Sequence, residues 1–505
     1  MRRVPLLSGS RVVLVPAGDD DVLLRPPPPP AQVVDPAAAV RDALRFPLSG
    51  PPLEALAARN GRATIVVEPR ALPVPGAQSD PRLAALAEAS DELARSGIPD
   101  THQTILVAGG LGQRLGHREL ERLLPPPVAR TFRGRVVVHD VEDERLVRIS
   151  DTSHATVRIH PALTDADLVV TVGAAETVLH GGPGTLLSAC DASTVRHAAA
   201  VDSLVEAAGS PEWELALEVE RALLRRVAVL GVSLVLDLPR LVGPFRGYPS
   251  DPASLERVNR SQLRRVFSLL PAGVRRDVLH RQSRRLTATA AFAGPPSVAH
   301  AEALLRGVDL RSTQLPAPVD ALVVGVPWTG PHVPREPVNP VTATALALGL
   351  ALRLRRDAFP IEQGGTLILL HSFRRSFSPA QAPYGAMFRA LRNVRDDEDL
   401  ASAEFEARTD EAALDAYRAG RTCHPLLPFA DWAGCAPALR RLGRVIVAGS
   451  RDANAARTLG FVPTRSVGSA LEMAHGVAGG RARVGILLAP PYAPLIVGPR
   501  DEAGS

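Results

Sequence analysis

One alternation limits what this chain can fold into. Short, continuously apolar runs recur between stretches of helical spacing. In the first part they are ATIVVEP (63–69), TILVAGG (104–110), RVVVHD (135–140) and DADLVVTVG (165–173). In the second they are DALVVGVPW (320–328), TLILLHSF (366–373), RVIVAGS (444–450) and VGILLAPP (484–491). A strand that is apolar at every position needs cover on both faces, which is the situation of a parallel sheet between helices. The fold class expected is therefore α/β, with a largely parallel sheet flanked by helices in each of two blocks. LVRIS and ATVRIH read as a hairpin, DPAAAVRDALRFPL as a helix capped by Asp35, and 340–356 as one buried helix. Residues 239–285 are rich in Arg and Leu at helical spacing and read as an inserted helical segment.

Composition enters through one absence. All 58 basic residues are arginine, and the 505-residue chain has no lysine. A lysine Schiff base, a P-loop lysine and a lysine-tethered cofactor are therefore closed to it. The net charge of +5 comes without a long basic run, and aromatic residues make up only 4%, so the expectation is no nucleic-acid partner. No window approaches the roughly 20 apolar residues of a membrane span, so no membrane partner is expected and the cytoplasm is the default location. Cys190, Cys423 and Cys435 form neither a metal spacing nor an even disulfide set. Oligomeric state is left open.

Several phrases then line up in order: PLEALAARNGRATIVVEPRALPVP, GIPDTHQTILVAGGL, VVVHDVEDERLVRI, DADLVVTVGAAE with HGGPGTLL, FAGPP, and later PVDALVVGV, GGTLILLHSF and TLGFVP. In this order and spacing the chain resembles the nickel-pincer lactate racemase family. The resemblance implies an N-terminal domain over 1–310, with 239–285 inserted, and a C-terminal domain over 318–498, with a cleft between them. It also implies a racemase or isomerase acting on a small 2-hydroxy acid. In the family a pincer nucleotide holds nickel and exchanges hydride with the substrate, histidines exchange the hydroxyl proton, and a lysine tethers the cofactor.

Residue by residue, the implied site is largely missing. Pro69, Ala71 and Leu72 stand where the family has an acid, a threonine and an arginine. Gly112 takes the place of the first acid/base histidine, and Gly184 that of the tethering lysine. Ala199 stands for the second member of a His-x-His pair, leaving His197 as the candidate metal ligand. Thr342 and Ala345 stand for a glutamine and lysine that hold substrate.

What remains as candidate catalytic groups is His139, Asp140 and His180. His139-Asp140 ends a strand, where it either bonds its own backbone or opens onto a ligand crevice. Candidate substrate or anion contacts are Gly181, Gly182 and Gly184, whose N–H groups can approach an anion, and His371, Arg374 and Arg375 after a second-block strand. Arg70 is a candidate replacement, offset by two, for the lost arginine, and His424 has no evident partner in the sequence. Two functions stay open: a divergent racemase or epimerase without the lysine-tethered mechanism, or a non-catalytic binding or regulatory protein. Either takes a small anionic metabolite as its partner. The cofactor is unknown, and the family's lysine anchor is absent at Gly184.

Overall fold

The computed structural model describes residues 2–69, 80–120, 126–151, 156–238, 240–282, 286–328, 330, 336–478, 482–488 and 493–499. Two six-stranded sheets organise them. The first runs, edge to edge, Ala288–Gly294, Ala228–Leu236, Leu168–Ala174, Ala63–Val67, Gln103–Val107, Arg135–Val138. All neighbours are parallel except the Ala288–Gly294 edge. The second runs Val462–Thr464, Arg444–Ala448, Ile361–Leu370, Val319–Gly325, Val484–Leu487, Val22–Leu24, and is parallel throughout. All the apolar runs but RVVVHD, which forms the edge strand Arg135–Val138, thus become inner strands, and Leu168–Ala174 is buried at every position.

Each sheet reverses its strand order once. In the first, the chain builds outward from Ala63–Val67 through Gln103–Val107 to Arg135–Val138, then returns to lay Leu168–Ala174 on the other side. The reversal lies between Ala63–Val67 and Leu168–Ala174. Beyond the carboxyl ends of two such strands the following loops part in opposite directions, which leaves a crevice.

Strands from residues 2–24, which the resemblance puts in the N-terminal domain, sit against the second sheet. Val22–Leu24 pairs with Val484–Leu487. The hairpin of Arg2–Ser8 and Arg11–Ala17 is pinned there by Ser8 Oγ donating to Leu370 O (2.7 Å) and Gly9 N–H donating to Val326 O (2.6 Å). Within residues 240–282 the chain is helical as its spacing predicts, with Pro252–Arg260, Gln262–Leu269 and Ala272–Arg281. It packs Phe245, Tyr248, Leu255 and Phe267 into the same apolar cluster as hairpin residues Val4, Leu6 and Val15. The insertion therefore covers the hairpin, and the hairpin covers the second sheet.

The LVRIS/ATVRIH pair is an antiparallel hairpin, Val147–Asp151 with Thr156–Ile159. The expected 340–356 helix divides: an α-helical turn, Pro340–Thr344, passes into a π-helical stretch, Ala345–Ala351. Gly349 within it lies against Gly434 and Cys435 of a neighbouring segment.

A Cβ on Gly325 would collide with Leu7 O of the hairpin. Gly325→Ala is expected to push the hairpin off the second sheet and to cost about 1–3 kcal/mol. Denaturant unfolding together with limited proteolysis within residues 2–20 checks this; unchanged stability and protection would contradict the packing.

Candidate functional site

The crevice at the first sheet's reversal holds a carboxylate that the sequence reading passed over. Glu68 directly follows Ala63–Val67 and is half-buried. Its Oε2 accepts the Gly181 N–H (2.9 Å) and its Oε1 accepts the Ser188 hydroxyl (2.8 Å). The anion met by the Gly-rich turn is thus the chain's own side chain. Burial, opposed by those two hydrogen bonds, pushes the Glu68 carboxyl up to about 7. Beside it, Glu176 accepts from Arg82 Nη1 (3.1 Å), and Arg82 also pairs with Asp80 (2.9 Å).

Packing accounts for the glycines of the turn. Gly181 and Gly182 have positive φ (95° and 53°), and a side chain on either would run into the His300 ring. On Gly184 it would meet the backbone of Leu179. His300 is fully buried, stacks on Trp213 at 5.8 Å between centroids, and bonds Thr177 O through Nε2 (2.9 Å). His180 is half-buried, with its N–H donating to Thr177 O (3.3 Å).

His139 follows the edge strand Arg135–Val138 and is 2% exposed. Its Nε2 lies 2.8 Å from Cys190 O. A carbonyl can only accept, so Nε2 carries the proton. Burial lowers the ring's pKa to about 4, so near neutral pH the ring is uncharged and Nδ1 is a bare acceptor. That Nδ1 has no hydrogen-bond partner among the described residues. Asp140 instead accepts from the Glu142 N–H (3.0 Å) and from Arg114 Nη1 (3.4 Å).

Pro69, Gly109, Gly110, Gly112, Gln113, Arg114, His139 and Tyr417 line a narrow cleft with about 10 Å³ of free space. Three strands of the first sheet end on it, and Tyr417 closes it from the second half. Arg114 also contributes a buried Nε–H without a partner. The cleft is therefore lined by one residue with an unmet donor and one with an unmet acceptor.

A tight seam holds this cleft shut. Arg114 Nη1 donates to Arg418 O (2.6 Å), Gln113 Nε2 to Gly420 O (2.9 Å), and His424 N–H to Leu111 O (3.0 Å). His424 does have a partner: its Nδ1 accepts the Leu426 N–H, so Nε2 is the donor to Glu142 Oε1 (3.0 Å). Further along, Leu204 N–H donates to Arg353 O (2.8 Å), and Arg196 pairs with Glu404 (2.8 Å).

The remaining expected residues scatter. His197 is exposed at the end of Ala192–His197. Among the described residues no group of three or more His, Cys, Asp or Glu is arranged to hold a metal. His371, Arg374 and Arg375 lie at the carboxyl edge of the second sheet, not in the cleft: His371 is 8% exposed with burial lowering its pKa to about 4, while Arg374 and Arg375 are exposed. Arg70, Ala71 and Leu72 fall outside the described residues. No described helix is long and apolar enough to cross a membrane.

His139, His300 and His371 each fall from 6.5 to about 4 on folding, with burial as the main cause. Their contribution to stability is complete above about pH 6.5 and is lost as the pH falls toward 4, on the order of 3 kcal/mol each at most. Glu68 acts in the opposite sense: its contribution is present below about pH 4.5 and lost as the pH rises through 7. Three groups outweigh one. Urea unfolding at pH 7.5 and pH 5 is expected to show a loss of several kcal/mol at the lower pH; equal stability would contradict the burial of these rings.

Residues 9–182 match the family model for the lactate racemase N-terminal domain. Among solved structures, the chain is similar to the lactate racemase apoprotein from Thermoanaerobacterium thermosaccharolyticum, with a TM-score of 0.61 and 15% identity over 98% of this chain and 100% of that one. A crystal structure of a protein from Thermotoga maritima is also similar, with a TM-score of 0.52 and 11% identity over 93% of this chain and 100% of that one. No curated protein matches the chain in sequence.

Proposed function

Because this chain belongs to the lactate racemase-like family, we propose that it recognises a small hydroxy-carboxylate in the cleft between its halves and does not racemise it. The observation that carries the reading is the pair of unmet polar atoms on residues lining that cleft: the Arg114 Nε–H and the His139 Nδ1. A carboxylate accepts from a guanidinium, and a neighbouring hydroxyl donates to a neutral imidazole nitrogen. A 2-hydroxy acid carries both groups on adjacent carbons. Closed as it is, the cleft has about 10 Å³ of free space, room for about one water, so a hydroxy acid enters only when the seam parts.

Racemisation is disfavoured by the same residues. A ring with a pKa of about 4 is a weak base at neutral pH. Gly112 stands where the family's first proton-exchanging histidine does, and it carries no side chain.

The family's pincer nucleotide does not fit these residues. Its anchor position is Gly184, a side chain there meets the Leu179 backbone, and the chain contains no lysine to serve from elsewhere. One observation favours a second reading, an isomerase working by proton abstraction: Glu68, with its pKa near 7, sits beyond the reversal of the first sheet.

Incubating the full chain with enantiopure L-lactate and following it by chiral chromatography tests the two against each other. No loss of enantiomeric purity above a protein-free control is expected. L-lactate is expected to bind by calorimetry, and Arg114→Gln to weaken that binding about tenfold. Racemisation removed by Glu68→Gln would overturn the binding reading in favour of the second, and undiminished binding by the Arg114 variant would overturn the assignment of the cleft.

A further inference from the structure

Four arginines from four distant parts of the chain meet at the carboxyl edge of the second sheet. Arg11 leaves the hairpin turn that Ser8 and Gly9 pin to Leu370 and Val326. Arg275 comes from the insertion helix Ala272–Arg281; its Nε donates to Ser10 O (2.9 Å) and its Nη1 to the carbonyls of Ser268 and Leu270. Arg374 follows the strand Ile361–Leu370, and Arg451 follows Arg444–Ala448. The Arg451 N–H donates to Ser372 O (3.1 Å), tying those two segments together.

Arg11 and Arg275 lie in a field of like charge. After burial, the influences that lower the Arg11 pKa are Arg451, Arg275 and Arg374, and no carboxylate offsets them. Arg275 is lowered by burial and then by Arg451, again with no carboxylate contribution. The side chains of Arg11, Arg374 and Arg451 make no hydrogen bond or ion pair with a described residue. Exposed arginines alone would be an ordinary solvated surface. Arg275 is not exposed: it is 5% accessible, and among the described residues its hydrogen bonds go only to neutral acceptors. Arg375, next in sequence to Arg374, differs in being paired with Asp452 (3.6 Å).

Bringing like charges together costs free energy unless an anion joins them. The edge in question is where open parallel sheets bind ligands. We propose that Arg11, Arg275, Arg374 and Arg451 form a binding site for a small phosphate-bearing molecule. The guanidinium fork matches a phosphoryl group's oxygens in pairs, and a dianion or higher answers several cations at once where a monocarboxylate answers one. The site shares no residue with the cleft between the halves and goes beyond the hydroxy-carboxylate reading, so either can fail without the other. The insertion is what completes it, because Arg275 lies on an inserted helix.

Titration of the full chain with inorganic pyrophosphate, by calorimetry and thermal shift at fixed ionic strength, tests the site. Saturable binding and a rise in Tm are expected for the wild type. Arg374→Gln and Arg451→Gln are each expected to weaken binding about tenfold, and Arg375→Gln less than about twofold. Without pyrophosphate, the Arg374 and Arg451 variants are expected to melt no lower than the wild type, because a repulsion has been removed. That readout separates a lost site from a damaged fold. Absence of saturable binding would overturn the proposal, as would an Arg375 variant as weak as the Arg374 variant. Binding of a short RNA duplex under conditions where pyrophosphate does not bind would also overturn it.

Discussion

The seam between the two sheets governs everything that happens at the first sheet's carboxyl edge. Backbone groups carry much of it: Leu204 N–H reaches Arg353 O, and His424 N–H reaches Leu111 O. Arg353 is 4% exposed and donates to Ala199 O across the seam, with burial lowering its pKa to about 10. Buried backbone bonds and a buried guanidinium are costly to leave unmet, so opening the seam is expensive. With it closed, Tyr417 lies over the strand ends, and the cleft is reduced to a narrow space lined by Arg114 and His139.

Burial then sets the chemistry of that space. His139 keeps one proton, on the nitrogen that faces Cys190 O, and stays neutral. Glu68, two strands inward, is pushed the other way and titrates near neutrality. The glycine turn that might have received a ligand anion receives Glu68 instead. The same burial thus makes one side chain of the edge a neutral imidazole and another a carboxyl that titrates near neutrality.

Much of the architecture was legible because it rests on local pattern. A run such as LVVTV can only be a strand covered on both faces, and the inserted helices announce themselves by Leu and Arg spacing. Long-range pairing is another matter. Val22–Leu24 is three residues long, and nothing in it specifies Val484–Leu487 as its neighbour. The Ala- and Leu-rich stretch after Pro340 reads as one helix, but the close approach of Gly349 to Gly434 and Cys435 accompanies a π-helical turn there.

The site was legible only in part. His139 is visible as a strand end, yet its neutrality depends on burial beneath segments distant in sequence, and the Cys190 carbonyl 51 residues away fixes only which nitrogen holds the proton. Glu68 was hidden by a comparison that set Pro69 against the family's acid; the rule that ligands gather beyond a reversal of strand order would have found it. Arg374 was visible after its strand, whereas Arg11 and Arg275 become its neighbours only through the hairpin and the insertion. The state of the His139 ring is the point on which the account of the cleft turns. Histidine-selective ¹⁵N NMR across pH 4.5–8 measures it directly. A ring that stays neutral and protonated at Nε2 down to about pH 5 is the predicted result; titration near 6.5, or a proton on Nδ1 in the neutral form, would contradict it.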